Sequence, residues 1–262
     1  MATTFEQTDW YDLPALYDIV FDVDTQREGE FLEAMQARFG GTRGKRVLEP
    51  ACGSGRLVCE MTRRGWKVHG TDLNANMIAY TRKRLAREEL QATLSQADMS
   101  APLAASTRYD LAHCLVSTFK YLTTEDSARA HLRSVAAALK PGGLYVLGFH
   151  LSDYHDDRIT RERWVEKRDG QHVVCNIQSW PPDRATRIEK VRSRLTVTER
   201  GKKRRSETHW DFRSYNASEV RSLLAAVPEL ELLTTFDFTY NLKAERELSD
   251  AQLDSVLILR RR

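Results

Sequence analysis

Four residues carry the first chemical signal in this chain. Val47–Gly55 reads Val-Leu-Glu-Pro-Ala-Cys-Gly-Ser-Gly, an apolar run that passes through Glu49 into a turn of small residues containing Gly53 and Gly55. Seventeen residues past Gly55, a second apolar run ends at Asp72. A tight turn between a strand and a helix brings backbone N–H groups close to a ligand. A carboxylate at the tip of the next strand is placed to accept hydrogen bonds from two ribose hydroxyls. A cofactor containing a nucleoside satisfies both features. A dinucleotide fits less well, because its fingerprint needs a third glycine and Val58 stands there. Glu49 would also repel a pyrophosphate, whereas it suits a cofactor bearing an amino group and a sulfonium.

The elements needed to hold these residues are legible on either side. The first forty residues read as mainly helical, with apolar residues from Trp10 to Phe21 at helical intervals and a second helix over residues 28–39. Pro14 restricts where the first helix starts. Strands are expected at about 45–50, 67–72, 92–97, 109–115 and 143–149. Helices are expected at Arg56–Arg64, Ala75–Glu89 and Thr124–Leu139. This alternation implies an α/β fold with a parallel sheet and helices on both faces. The pattern then changes to period two over Trp164–Arg168, His172–Trp180, Thr186–Thr198 and Arg205–Phe212, an antiparallel meander. Asn216 and Glu219 form a capping-box-like start for a helix at 217–226, and strands at Leu230–Thr239 and Ser255–Arg261 complete the chain.

At this level the chain resembles the class I S-adenosylmethionine-dependent methyltransferases. Val47–Gly55 has their first-motif form, an apolar pair and an acid followed by a glycine pair. Gly-Thr-Asp-Leu-Asn-Ala-Asn-Met places Asp72 at their ribose position. Gln96-Ala97-Asp98-Met99 is similar to their adenine motif, Tyr109–Leu115 to their fourth strand, and Leu139–Gly143 to their turn into strand five. The resemblance covers roughly residues 45–150. It implies a doubly wound, Rossmann-like seven-stranded sheet whose seventh strand is antiparallel, lying between the fifth and sixth. It also implies S-adenosyl-L-methionine as cofactor. Ala51, Gly53 and Gly55 would then lie against its methionine portion, with Glu49 serving its ammonium, Asp72 its ribose and Asp98 its adenine amino group. Leu73, Met77 and Met99 either sandwich the adenine or are plain core. Leu115 would line the methionine arm, and Tyr17 either covers that arm or anchors its helix.

An antiparallel insertion after strand five resembles enzymes acting on small amines, such as aminosugar N-methyltransferases and, less closely, glycine N-methyltransferases. Leu16-Tyr17-Asp18 resembles their N-terminal element. The implied organisation is a helical cap over residues 1–44, a cofactor-binding domain from 45–159 and 214–262, and an insertion over 160–213 that covers the acceptor. Tyr121 falls where the aminosugar enzymes carry a polar side chain near the acceptor. His150 directly follows strand five and can take a proton near neutral pH. A bland hydrogen-bonded role for either stays open.

Composition narrows the alternatives. With 262 residues, 41% hydrophobic and 29% charged, the chain can hold one large globular domain with an elaboration. No apolar run is long enough for a membrane span, and the acidic, aromatic N-terminus lacks a signal-peptide core. These features, with four cysteines lacking metal-type spacing, suit a cytoplasmic protein with buried free thiols. His150, Asp153 and His155 are close in sequence, yet a polar loop explains them better than a metal site. A net charge of +3 is weak support for a nucleic-acid partner, and Lys202–Arg205 reads as a solvated hairpin tip. The expected partner is a small-molecule acceptor, with N-methylation favoured over O-methylation and a homodimer possible. An RNA or DNA methyltransferase and a non-catalytic module on the same fold are the alternatives. Leu115-Val116-Ser117-Thr118 stands where base-amino methylation would call for Asn/Asp-Pro-Pro-Tyr/Phe.

Overall fold

The structure is a computed structural model that describes residues 4–103 and 107–262. Residues 1–3, the start of the acidic N-terminal stretch, lie outside the described residues. The chain opens with a two-residue strand, β1 (Glu6–Gln7), a short 3-10 turn (Trp10–Asp12), and helices α1 (Pro14–Phe21) and α2 (Thr25–Phe39). Pro14 occupies the first turn of α1, where its missing N–H removes no helical bond. There follow β2 (Arg46–Pro50), α3 (Arg56–Arg63), β3 (Lys67–Asp72), α4 (Ala75–Arg87), β4 (Thr93–Gln96), β5 (Tyr109–Cys114), α5 (Glu125–Ala138) and β6 (Leu139–His150). Strands β7 (Thr160–Arg168), β8 (Gln171–Ser179), β9 (Ile188–Glu199) and β10 (Lys202–Arg213) come next. Helix α6 (Ala217–Ala225) and strands β11 (Leu230–Phe236) and β12 (Asp254–Arg261) close the chain.

The described residues form two sheets. The larger has seven strands in the order β11-β12-β6-β5-β2-β3-β4, with β12 antiparallel to both its neighbours and the other adjacent pairs from β6 to β4 parallel. The expected doubly wound sheet and its reversed seventh strand are present. Two apolar layers cover it. Leu132, Val135, Tyr145 and Leu257 pack on one side, and Phe31, Leu32, Val58 and Ile258 on the other. Side chains on successive strand residues point to opposite faces, and β5 is buried along its whole length because both faces are covered. Asn216 caps α6 as a full capping box: its side chain accepts from Glu219 N–H at 2.9 Å, and Glu219 accepts from Asn216 N–H at 2.8 Å.

The second sheet has the order β1-β10-β9-β8-β7. Strands β7 to β10 are the expected antiparallel meander, with β7 and β10 longer than the period-two pattern suggested. The basic run Lys202–Arg205 lies on β10 just past the Arg200-Gly201 turn rather than at the tip. Strand β1 was not legible in the sequence, because two residues cannot display an alternation. It pairs parallel with β10, Glu6 opposite Ser206 and Gln7 opposite Glu207. Trp10, Ile19 and Val20 then pack against Val173, Cys175, Leu195 and Val197, so the N-terminal elements and the second sheet share one apolar core.

One buried carboxylate joins these parts. Asp18 of α1 is 2% exposed. It accepts hydrogen bonds from Ser54 Oγ at 2.8 Å, Tyr80 Oη at 3.2 Å and Arg168 Nη2 at 2.9 Å, and it pairs with Arg84. Those partners belong to the turn after β2, to α4 and to β7. Removing one member of a buried charge cluster leaves its partners desolvated and uncompensated, at about 3–5 kcal/mol. Asp18→Ala is therefore expected to lower unfolding free energy by about that much in urea titration; a loss below about 1 kcal/mol would mean that the two arginines are satisfied by water.

Candidate active site

The turn between β2 and α3 is held against the end of β3 by backbone geometry. Parallel pairing sets Glu49 beside Gly70 and Pro50 beside Thr71, and Cys52 N–H donates to Thr71 O at 2.8 Å. Gly53 N–H donates to Asp72 Oδ2 at 2.8 Å, while Asn74 N–H donates to Asp72 Oδ1 at 2.8 Å. The two segments expected to share a ligand are thus in direct contact. Gly55 is left-handed at φ 72°, and a Cβ there would lie 2.2 Å from Thr81 Cγ2, so only glycine fits. The glycine that Val58 replaces is compensated from the opposite side. A Cβ on Gly70 would meet Val58 Cγ2 at 2.9 Å, so the strand supplies the space the helix lacks.

A narrow hollow of about 40 Å³ lies at this turn, walled by Glu49, Ala51, Gly53, Arg56, Tyr17 and Leu115, among others. Its rim is built from backbone in the left-handed region: Ala51 (φ 53°), Gly53 (φ 54°) and Val116 (φ 58°), with Ser117 (φ 61°) next in line. Left-handed conformations in Ala and Val are strained, and such strain concentrates where a ligand must be met by backbone. Glu49 is buried, and its Oε2 has no hydrogen-bond partner. Burial raises its pKa from 4.5 to about 8, with the neighbouring Glu28 and Asp72 charges adding to the rise and Arg56 opposing it. His113 Nε2 stands 4.0 Å away, but burial lowers the His113 pKa to about 3, so this contact is not an ion pair. The unmatched acceptor at Glu49 fits an ammonium group. Arg56 donates to Thr25 and pairs with Glu28, and its guanidinium also lines the hollow.

The adenine side is open. Asp72 is 9% exposed, with a pKa raised by burial and opposed by its two backbone donors. Leu73 is 66% exposed beside it. Asp98 is exposed and accepts from Ser100 N–H and Oγ at 2.7 and 2.8 Å. Met99 packs against the core, and Met77 is fully buried. Leu73 and Asp98 border neither of the two cavities described in this section.

A chamber of about 780 Å³ adjoins the hollow, and Tyr17, Phe21, Arg56, Val116 and Thr118 border both. The second sheet roofs it through Trp164, Trp180, Trp210 and Phe212, and the N-terminal elements close one side through Trp10 and Tyr11. Tyr121 hydrogen-bonds Tyr11 through their hydroxyls, and burial holds both phenols well above their usual pKa. His150 lies at the end of β6, its Nδ1 2.6 Å from Asp254 Oδ1. Sequence reasoning brought Tyr17, Tyr121 and His150 to one enclosure. It missed Arg56 and Glu28, whose signal was a charge on the apolar face of a helix. It also missed Trp10 and Tyr11 as chamber walls. Among the described residues no group of three or more His, Cys, Asp or Glu side chains is arranged to hold a metal ion, and all four cysteines are buried free thiols.

Residues 47–143 match the family described as Methyltransferase domain. A putative methyltransferase of Geobacillus sp. is 24% identical over 212 residues, covering 80% of this chain and 83% of that protein. The dTDP-3-amino-3,4,6-trideoxy-alpha-D-glucopyranose N,N-dimethyltransferase of Streptomyces venezuelae is 29% identical over 158 residues, 60% of this chain and 62% of the relative. An S-adenosylmethionine-dependent methyltransferase from Clostridium acetobutylicum superposes with a TM-score of 0.77 at 17% identity, covering 96% of this chain and 98% of that one. The fold is the one shared with that S-adenosylmethionine-dependent methyltransferase, and the segment that carries the Glu49–Gly55 turn and Asp72 is the one that matches a methyltransferase domain. No helix among the described residues is long and apolar enough to cross a membrane.

The raised Glu49 pKa gives a signed test. Below about pH 8 the unliganded carboxyl carries a proton; an ammonium bound beside it favours the ionised form and expels that proton. Cofactor binding at pH 7 should therefore release up to about one proton, read by calorimetry in buffers of different ionisation enthalpy. Glu49→Gln should abolish that release. Equal proton release by both proteins would rule out Glu49 as the ammonium partner.

Proposed function

We propose that this protein is an S-adenosylmethionine-dependent methyltransferase that acts on a nitrogen of a small-molecule acceptor. The observation that carries the reading is the shared wall between the narrow hollow and the 780 Å³ chamber. An acceptor in the chamber would meet the hollow across Tyr17 and Val116 while the second sheet excludes water. The size suits a small molecule, and the named activity of the Streptomyces venezuelae relative, an amino-sugar N,N-dimethyltransferase, supports nitrogen as the target.

Glu49 would hold the cofactor's ammonium and Asp72 its ribose hydroxyls. When bound, S-adenosylmethionine supplies a methyl group activated by a sulfonium. The chain's own residues then have three tasks. Tyr17, Phe21 and Val116 confine the meeting point of the two cavities, which turns an encounter into an oriented in-line approach. Tyr121, kept protonated by burial, orients the acceptor through its hydroxyl and cannot serve as a base near neutral pH. An amine attacks only through a free lone pair, so a proton must leave it. His150 Nε2 is the nitrogen available to receive one, because Nδ1 is held by Asp254.

Incubation with methyl-labelled cofactor and a metabolite extract should yield a labelled amine of low mass by mass spectrometry. Label found only in RNA or DNA would overturn the reading. Asp72→Ala should weaken cofactor binding by at least about tenfold through loss of charge-assisted hydrogen bonds, and unchanged binding in calorimetry would remove Asp72 from the site. His150→Gln should lower kcat by roughly 10²-fold with the cofactor Kd unchanged; an unaltered pH–rate profile in that variant would show that the proton leaves by another route.

A further inference from the structure

The charge and polarity of the chamber specify its occupant further. Carboxylates outnumber arginine and lysine along the wall, and each cationic side chain there is already engaged. Arg56 pairs with Glu28, Lys120 Nζ with Glu189 at 2.7 Å, and Arg158 with Asp156 at 2.7 Å. No described lining residue offers a free cation to a phosphate. Glu162 and Glu166, by contrast, line the chamber from β7 with no ion-pair partner, and they flank Trp164 on the same face of that strand. Trp180 and Trp210 add further aromatic walls. Aromatic faces and free carboxylates together attract a cation and repel a phosphate.

A second observation points to a ligand oxygen. Trp210 borders the chamber, stacked against Trp10, and its buried Nε1–H has no hydrogen-bond partner. A buried donor left unmade costs about 1–3 kcal/mol. A hydroxyl or ether oxygen on the acceptor would satisfy it. Ring-bearing molecules with hydroxyls on their edges and apolar faces would stack between the tryptophans at the same time.

We infer that the acceptor is a hydroxylated, ring-bearing amine that carries positive charge and no phosphate, docked through Glu162 and Glu166 with an oxygen on Trp210. The inference rests on the small-molecule reading above and separates this chain from the Streptomyces venezuelae relative, whose named acceptor is a dTDP sugar.

The test uses the full chain loaded with S-adenosylhomocysteine and three phosphate-free probes, glucosamine, 2-deoxystreptamine and kanamycin, read by saturation-transfer NMR and titration. Uridine diphosphate glucosamine is the phosphorylated comparison. At least one free amine should bind, and the nucleotide conjugate should bind no more than a tenth as tightly as the best of them. Glu162→Gln with Glu166→Gln should weaken the amine by roughly tenfold, the scale of two lost exposed charge contacts, and leave the S-adenosylhomocysteine Kd unchanged. Trp210→Phe should weaken the amine further while keeping the aromatic wall. Failure of all three amines to bind, tighter binding of the nucleotide conjugate, or indifference to the glutamate replacements would overturn the inference. Failure of S-adenosylhomocysteine to bind would strike instead at the cofactor site, and the amine titration on unliganded protein would still decide the chamber's preference.

Discussion

The arrangement of this molecule depends on the neutralisation of one buried charge. Asp18 has almost no contact with solvent, so its carboxylate requires donors from the protein. Those donors come from three separate parts of the fold: Ser54 in the turn after β2, Arg84 and Tyr80 on α4, and Arg168 on β7. A helix carrying such a carboxylate can dock in one way only. Once it does, Tyr17 faces the narrow hollow and Phe21 the chamber beyond it, because both lie within one turn of Asp18 on the same helix. Arg84 and Arg168 also hold Asp22 one turn on, at 3.1 and 3.2 Å, which doubles the link.

A second buried cluster repeats this logic beside the first. Arg56 leads α3, pairs with Glu28 of α2, and Glu28 accepts in turn from Tyr240 at 2.9 Å. The pair takes charge off the hollow's wall without removing the guanidinium from it. Glu49 is left there with an oxygen that has no partner, so the hollow offers an unmatched acceptor to a cation.

The large sheet contributes in a different way. Parallel pairing of β2 with β3 sets the carbonyl ends of both strands level, so the turn after β2 can donate Gly53 N–H to the last residue of β3. The left-handed backbone at Ala51, Val116 and Ser117 pushes two neighbouring loops to meet across the hollow. The strain is tolerated because dense apolar packing on both faces of the sheet leaves the loops little freedom to relax. Above this rigid floor the second sheet acts as a roof, joined to the cap through β1 and a shared apolar core.

Much of this was legible in the chain itself. The period switch from strand to helix located the elements of the large sheet, and the spacing of Glu49, Gly53, Gly55 and Asp72 located the cofactor turn, because those contacts are local to one strand–turn–helix unit and its neighbour. The α6 capping box was readable for the same reason, whereas the reversed last strand was expected only from the family resemblance. Contacts between distant segments were not. Strand β1 is too short to carry a pattern, and its pairing with β10 spans some two hundred residues. Glu28, Arg56 and Asp18 looked like isolated charges on otherwise apolar helix faces, and only packing brought each its partner. The full burial of Met77 was unreadable too, since a one-dimensional pattern does not contain burial. The chamber's preference for a cation likewise arises from which carboxylates are left unpaired. That is a property of three-dimensional pairing, since a sequence lists its charges without saying which of them cancel.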